Sequence, residues 1–148
     1  MGMIFKRNIR GFSLIELMVV IAIIGLLSSL AIPKFRIFQA KARQSEAKSN
    51  LSYIYALEES YFGDQDKYAS LDNQGKDYGC TANELGFVLT PCKARYNYSI
   101  AVSDATFVAT ANSGQKNEIM PGCEKPDIWT INEQKQLIAV SDSVTLCN

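Results

Sequence analysis

From Phe12 to Ile32 the sequence runs through 21 residues in which Glu16 is the one ionisable side chain. At about 1.5 Å of rise per residue, a helix over this span covers roughly the 30 Å of a bilayer core. The span therefore reads as a membrane-crossing helix. Beyond Pro33, helical spacing resumes at Phe35 and Phe38, fades through a polar stretch, and returns at Ala47, Leu51, Ile54, Leu57, Tyr61 and Phe62. One helix is expected to run on to about Phe62. It is apolar all round over residues 12–33 and amphipathic over residues 34–62. Gly63 and the Asp64, Gln65, Asp66 cluster supply a stop, and residues 64–79 hold mostly polar and turn-forming types, which predicts a loop. Thr81 to Leu85 reads as a short helical turn ahead of Gly86.

The period then changes from helical to alternating. Tyr96, Tyr98, Ile100 and Val102 share one face of a strand; Phe107, Ala109 and Ala111 share a face of the next, with Ser103-Asp104 turning between them. Ile128 to Ile131 and Leu137 to Ser141 form a second hairpin around Asn132, Glu133 and Gln134. An antiparallel sheet of this size needs a cover for its apolar face, and the stripe from Leu51 to Phe62 is the obvious partner. The fold class expected is α+β. A long N-terminal helix, one half in the membrane and one half amphipathic, packs on an antiparallel head spanning residues 63–148.

Charge sharpens this division. The whole chain balances 15 Lys and Arg against 15 Asp and Glu, yet Lys34, Arg36, Lys41, Arg43 and Lys48 face only Glu46 along the stem. Residues 49–148 carry seven basic and thirteen acidic side chains. A basic stem under an acidic head lacks the basic, aromatic-lined patch of a nucleic-acid binder, so no nucleic-acid partner is expected. The chain has no His, which removes the commonest general base and metal ligand. No phosphate loop or nucleophile–base pair stands in its place, and neither an enzyme nor a cofactor is expected.

The four cysteines, Cys80, Cys92, Cys123 and Cys147, contain no Cys-x-x-Cys pair with which to build a zinc site. An even number in a small head behind a membrane helix fits disulfides of an oxidising compartment, which puts the head outside the cytoplasm. Of three possible pairings, Cys80 with Cys92 and Cys123 with Cys147 are favoured. The second closes a loop worth roughly 3.5 kcal/mol in the chain-entropy model and pins the C-terminus.

An ordinary secretory signal peptide is the competing account of the N-terminus. Lys6, Arg7 and Arg10 would be its basic region and Ser29-Leu30-Ala31 its cleavage site. The apolar run is too long for that, contains a carboxylate, and passes into a helical pattern without a loop. The junction Lys6-Arg7-Asn8-Ile9-Arg10-Gly11 followed by Phe12-Ser13-Leu14-Ile15-Glu16 resembles the prepilin leader and N-terminus of type IV pilins of the short-leader class. The resemblance extends through Pro33 and the stem to about Tyr68, and Arg95-Tyr96-Asn97-Tyr98 and Asp127-Ile128-Trp129-Thr130-Ile131 look more loosely like strands of pilin heads.

That resemblance implies a leader over residues 1–11, cleavage after Gly11 and N-methylation of Phe12 by a prepilin peptidase. It implies a precursor in the inner membrane, handed to a pilus assembly machinery and built with other copies of itself into a surface filament for adhesion, motility or related functions. A minor pilin or a type II secretion pseudopilin is the alternative. Glu16 is given the role of compensating the new α-amino group of Phe12, first within its own chain and then on a neighbour, so that axial register follows from pairing two charges that are costly in an apolar core. Gly25 and Pro33 bracket Ser28 and Ser29; Pro33 removes the bond to the Ser29 carbonyl. Two readings stand for this stretch: a static kink, or a segment that becomes non-helical in the filament, as the resemblance implies.

Three further patterns carry less. The acidic run Asp64, Asp66, Asp72, Asp77 fails as a calcium loop, because Tyr68 and Ala69 occupy a ligand position and the turn-glycine position, so no metal is expected. Asn50-Leu51-Ser52 and Asn97-Tyr98-Ser99 match the glycosylation tripeptide, a pattern frequent by chance. The aromatics Phe35, Phe38, Tyr53, Tyr55, Tyr61 and Phe62 are read as packing rather than as an electron path.

Overall fold

A computed structural model of the chain describes residues 11–75, 83–89, 94–114 and 119–147. Its elements are α1 (Leu14–Gln65), β1 (Leu71–Gly75), β2 (Asn97–Ser103), β3 (Thr106–Asn112), β4 (Ile128–Asn132), β5 (Leu137–Ser141) and α2 (Ser143–Leu146). Internal contacts divide the chain into two units, residues up to Phe35 and residues from Arg36 on.

In the first unit every described large apolar side chain from Phe12 to Phe35 is exposed, Val20 least and Phe12 most. Among the described residues α1 is the one helix long and apolar enough to cross a membrane. It is helical across both Gly25 and Pro33. The Ser29 hydroxyl donates to the Leu26 carbonyl at 2.7 Å, one turn before the bond that Pro33 removes.

The second unit is a two-layer α+β head. Ala40, Gln44, Ala47, Leu51, Ile54 and Glu58 are the buried residues of α1 and recur every three or four positions, the spacing of one helix face. They meet one side of a five-stranded antiparallel sheet whose spatial order β1-β2-β3-β4-β5 is its chain order. Tyr98 and Ile100 of β2, Ala111 and Ala109 of β3, and Trp129 and Ile131 of β4 lie in register across the sheet and are all buried. Both hairpins expected from alternation are present, and Asp104 and Lys135 take the positive φ that their turns need.

Four boundaries differ from the sequence reading. The helix passes through Gly63 and ends at Gln65, because Asp66 (φ 52°) supplies the left-handed residue and returns its N–H to the Phe62 carbonyl at 2.9 Å. Within the stretch expected to be loop, Leu71-Asp72-Asn73-Gln74-Gly75 forms the edge strand β1, paired with β2 around a bulge. Gly75 (φ +122°) is required there, since a Cβ would run into the Tyr96 carbonyl oxygen. Phe35 and Phe38, where helical spacing resumes, are exposed, and the buried stripe begins at Ala40. The C-terminal turn α2, absent from the reading, is capped by Asp142, whose carboxylate accepts from Val144 N at 3.0 Å and Thr145 N at 3.3 Å. Of the turn read over Thr81 to Leu85, only residues 83–85 are described; Glu84 and Leu85 turn there and Gly86 follows with φ +72°.

Cys123 and Cys147 form a disulfide, the pairing expected for them. Cys80 and Cys92 lie outside the described residues.

Candidate functional site

At the start of α1 the sequence Ser13-Leu14-Ile15-Glu16 closes a reciprocal capping box. The Ser13 N–H donates to Glu16 Oε2 at 2.8 Å, and the Glu16 N–H donates to the Ser13 hydroxyl oxygen at 3.2 Å. Two of the unpaired N–H groups of the helix start are thereby satisfied in a segment whose other side chains are apolar. Phe12, Ile15, Glu16, Val19 and Val20 line a shallow open concavity. The structure thus sets Glu16 beside Phe12, whose backbone nitrogen would become the terminal amine after cleavage at Gly11. Ser13 was missed by sequence reasoning focused on the lone charge, although its signal, Ser three residues before Glu, is plain. Gly25 has open space around its Cβ position, so nothing among the described residues requires a glycine there.

The second polar centre lies inside the head. Asp127 is completely buried and its carboxylate accepts five hydrogen bonds. Tyr96 OH (2.6 Å) and Trp129 Nε1 (2.8 Å) donate to Oδ2; Gln44 Nε2 (2.8 Å), Ser143 N (2.8 Å) and Ser143 Oγ (3.0 Å) donate to Oδ1. One side chain therefore ties α1, the residue before β2, β4 and α2 together. Gln44 Nε2 also donates to Asp142 Oδ1 at 2.7 Å, clamping the helix to the cap of the C-terminal turn. Burial, aided by the bond to Asp127, pushes the Tyr96 hydroxyl far above the ordinary tyrosine range, which keeps it a donor at any physiological pH. For Asp142, burial works against ionisation, but hydrogen bonds from Gln44, Thr145 and Val144 win and lower its pKa. No local sequence signal marks Gln44 or Asp127 as core, because the partners that bury them lie far along the chain.

The other candidates fall into place around these centres. Asp64, Asp66 and Asp72 are exposed, Asp77 lies outside the described residues, and among the described residues no group of three or more metal-ligand side chains gathers. Asn50 donates to the Tyr98 hydroxyl at 2.8 Å, and Asn97 is buried, so neither tripeptide asparagine is freely presented. Tyr53 pairs with Phe87, Tyr55 with Phe107 and Phe62 with Tyr68, which is packing between helix and head. Stem cations are drawn into the same packing: Arg43 donates to the Ile119 carbonyl, and the Lys48 ammonium sits 3.9 Å from the Trp129 ring centre.

A long N-terminal helix laid on an antiparallel sheet, with a capped apolar start, defines a pilin-like α+β protein. Residues 6–32 match the prokaryotic N-terminal methylation motif. The chain is 43% identical over 100 residues to the type IV major pilin protein PilA of Myxococcus xanthus, covering 67% of this chain and 40% of that protein. It is 29% identical over 120 residues to a fimbrial protein of Neisseria meningitidis (81% of this chain, 65% of that protein). It is 28% identical over 120 residues to the type IV major pilin protein PilE1 of Neisseria gonorrhoeae (81% and 62%). The chain thus spans less than two thirds of the length of each of these relatives. Motif, fold and relatives together make the chain similar to type IV pilins over the spans they cover.

Proposed function

We propose that the chain is a structural subunit of a type IV pilus, not an enzyme. Its precursor is cut after Gly11 and methylated on Phe12 by a prepilin peptidase, anchored in the inner membrane by α1, and then assembled with other copies into a surface filament. The observation that carries the reading is the methylation motif on a helix whose large apolar residues from Phe12 to Phe35 are exposed, with no cover among the described residues. Burying such a surface in lipid or against identical helices is strongly favourable, at roughly 25 cal/mol per Å². Glu16 supplies selectivity, since a carboxylate in that surroundings is costly until an amine meets it. In the single chain the 25–33 stretch is helical; in the filament Gly25 and Pro33 are the positions at which packed helices would give way.

Purified surface filaments, imaged by electron microscopy and analysed by mass spectrometry of their subunit, test the proposal. The expected subunit begins at N-methylated Phe12. A mature N-terminus at Ile32 would instead establish an ordinary signal peptide, and filaments in which this chain is absent or a trace component would overturn the assignment as main subunit.

A further inference from the structure

Glu58 stands apart from every role described so far. It belongs to the buried face of α1, has no accessible surface, and offers Oε2 to the Ala69 N–H at 3.0 Å. Its Oε1 is the one buried side-chain polar atom without a hydrogen-bond partner among the described residues. Ala69 precedes β1, and its neighbour Tyr68 stacks on Phe62 (4.7 Å) and leans on Phe107 (4.8 Å). The carboxyl group is therefore the polar tie between the helix and the chain that returns from it to the sheet.

Among the described residues no cation is paired with this carboxyl. On its own helix the neighbouring charge is Glu59, of like sign; Lys67 and Asp72, flanking Ala69 along the chain, are exposed. From the β4–β5 turn, Glu133 acts on Tyr68, while the Lys135 ammonium lies over the Tyr55 ring at 5.5 Å. A buried carboxylate with one bare oxygen and the like charge of Glu59 acting on it is poorly accommodated, whereas a neutral carboxyl keeps the Ala69 bond without the charge.

We propose that Glu58 is a proton-linked latch: it carries a proton while it holds the 66–70 turn and β1 onto the helix, and its ionisation loosens that edge of the head. The direction of its pKa agrees, raised by burial above the ordinary 4.5. Because the folded state binds the proton more tightly than the unfolded chain, the stabilisation is complete below the ordinary value. It is lost as pH rises toward the folded value and levels off above it.

The test uses the full chain in detergent micelles from pH 4 to pH 8, comparing wild type with Glu58→Gln by urea unfolding and by hydrogen exchange at the Ala69 amide. The expected wild-type unfolding constant grows by up to tenfold per pH unit in the window between the two pKa values. Glu58→Gln should remove that component and keep Ala69 protected throughout. Equal pH slopes in the two proteins would overturn the proposal. Carbon-13 titration of the Glu58 carboxyl in the wild-type chain decides the matter independently, even if the variant does not fold: a midpoint above those of the exposed glutamates supports the latch, and one at or below them ends it.

Discussion

The two stretches of α1 belong to one unbroken helix and obey opposite rules. From Leu14 to Phe35 the large apolar side chains are all exposed within the chain. From Arg36 to Gln65 the buried positions include two alanines ahead of Leu51, and two of the six are polar, Gln44 and Glu58. Hydrophobicity is thus highest where burial is least. The first stretch leaves its apolar surface open, and under the proposed function its single carboxylate selects what covers it. The second is covered by its own sheet, so small residues allow close approach and polar ones fix which strands sit where.

The largest effect should come from separating these two jobs at Glu16. Under the proposed function, Glu16→Ala leaves the head folded and the precursor inserted and processed, yet lowers surface filament yield by at least roughly tenfold, since an unpaired buried charge costs several kcal/mol. Filament yield by shearing and immunoblot, beside the amount of processed subunit in the membrane, checks it. Normal filaments would show that register does not depend on the charge pair.

In the head, Asp127→Ala should be the severest single substitution. It strands the Tyr96 hydroxyl, the Trp129 indole N–H and the Ser143 donors inside the protein, and a loss of about 3–5 kcal/mol is expected in urea unfolding. Leu51→Ala follows at about 2–5 kcal/mol from the lost burial and the cavity left behind. The control sharpens the contrast: Leu27→Ala, at an exposed position of the first stretch, should leave head unfolding within about 0.5 kcal/mol of wild type. A comparable loss from Leu27→Ala would mean that the first stretch also stabilises the head.

The same contrast explains what could be read from the chain before folding. The membrane-length run, the helix stripe at Leu51 and Ile54, and the hairpins β2–β3 and β4–β5 are written in local periodicity, so the α+β class was legible. Strand β1 was not. Leu71-Asp72-Asn73-Gln74-Gly75 has loop composition and becomes a strand only because β2 offers it an edge. Nor were Gln44, Glu58 and Asp127 legible as core, because a buried polar residue is defined by partners that are distant in sequence, up to 98 residues away for Gln44 and Asp142. At the N-terminus the reverse holds. Ser13 and Glu16 satisfy each other within one turn, so the whole arrangement lies in four consecutive residues.

The smallest loss expected from a head residue is at Asp142, where the head's own polar contacts act with the opposite pH sign to Glu58. Asp142 caps α2 and accepts from Gln44, so Asp142→Ala should cost about 0.5–2 kcal/mol, the usual loss for a helix cap. Its pKa in the fold lies below the ordinary 3.8, because the bonds from Gln44, Thr145 and Val144 favour the charged form more than burial opposes it. The unfolded chain therefore takes up the proton first as pH falls. The cap's contribution is complete above the ordinary value and disappears as pH drops through the folded one. Wild type and Asp142→Ala should differ in unfolding midpoint at pH 6 and converge toward pH 2. A difference that persists undiminished at pH 2 would show that the cap acts through shape rather than charge. That result would leave Gln44, held also by Asp127, as the contact that fastens the second stretch of the helix to the C-terminal turn.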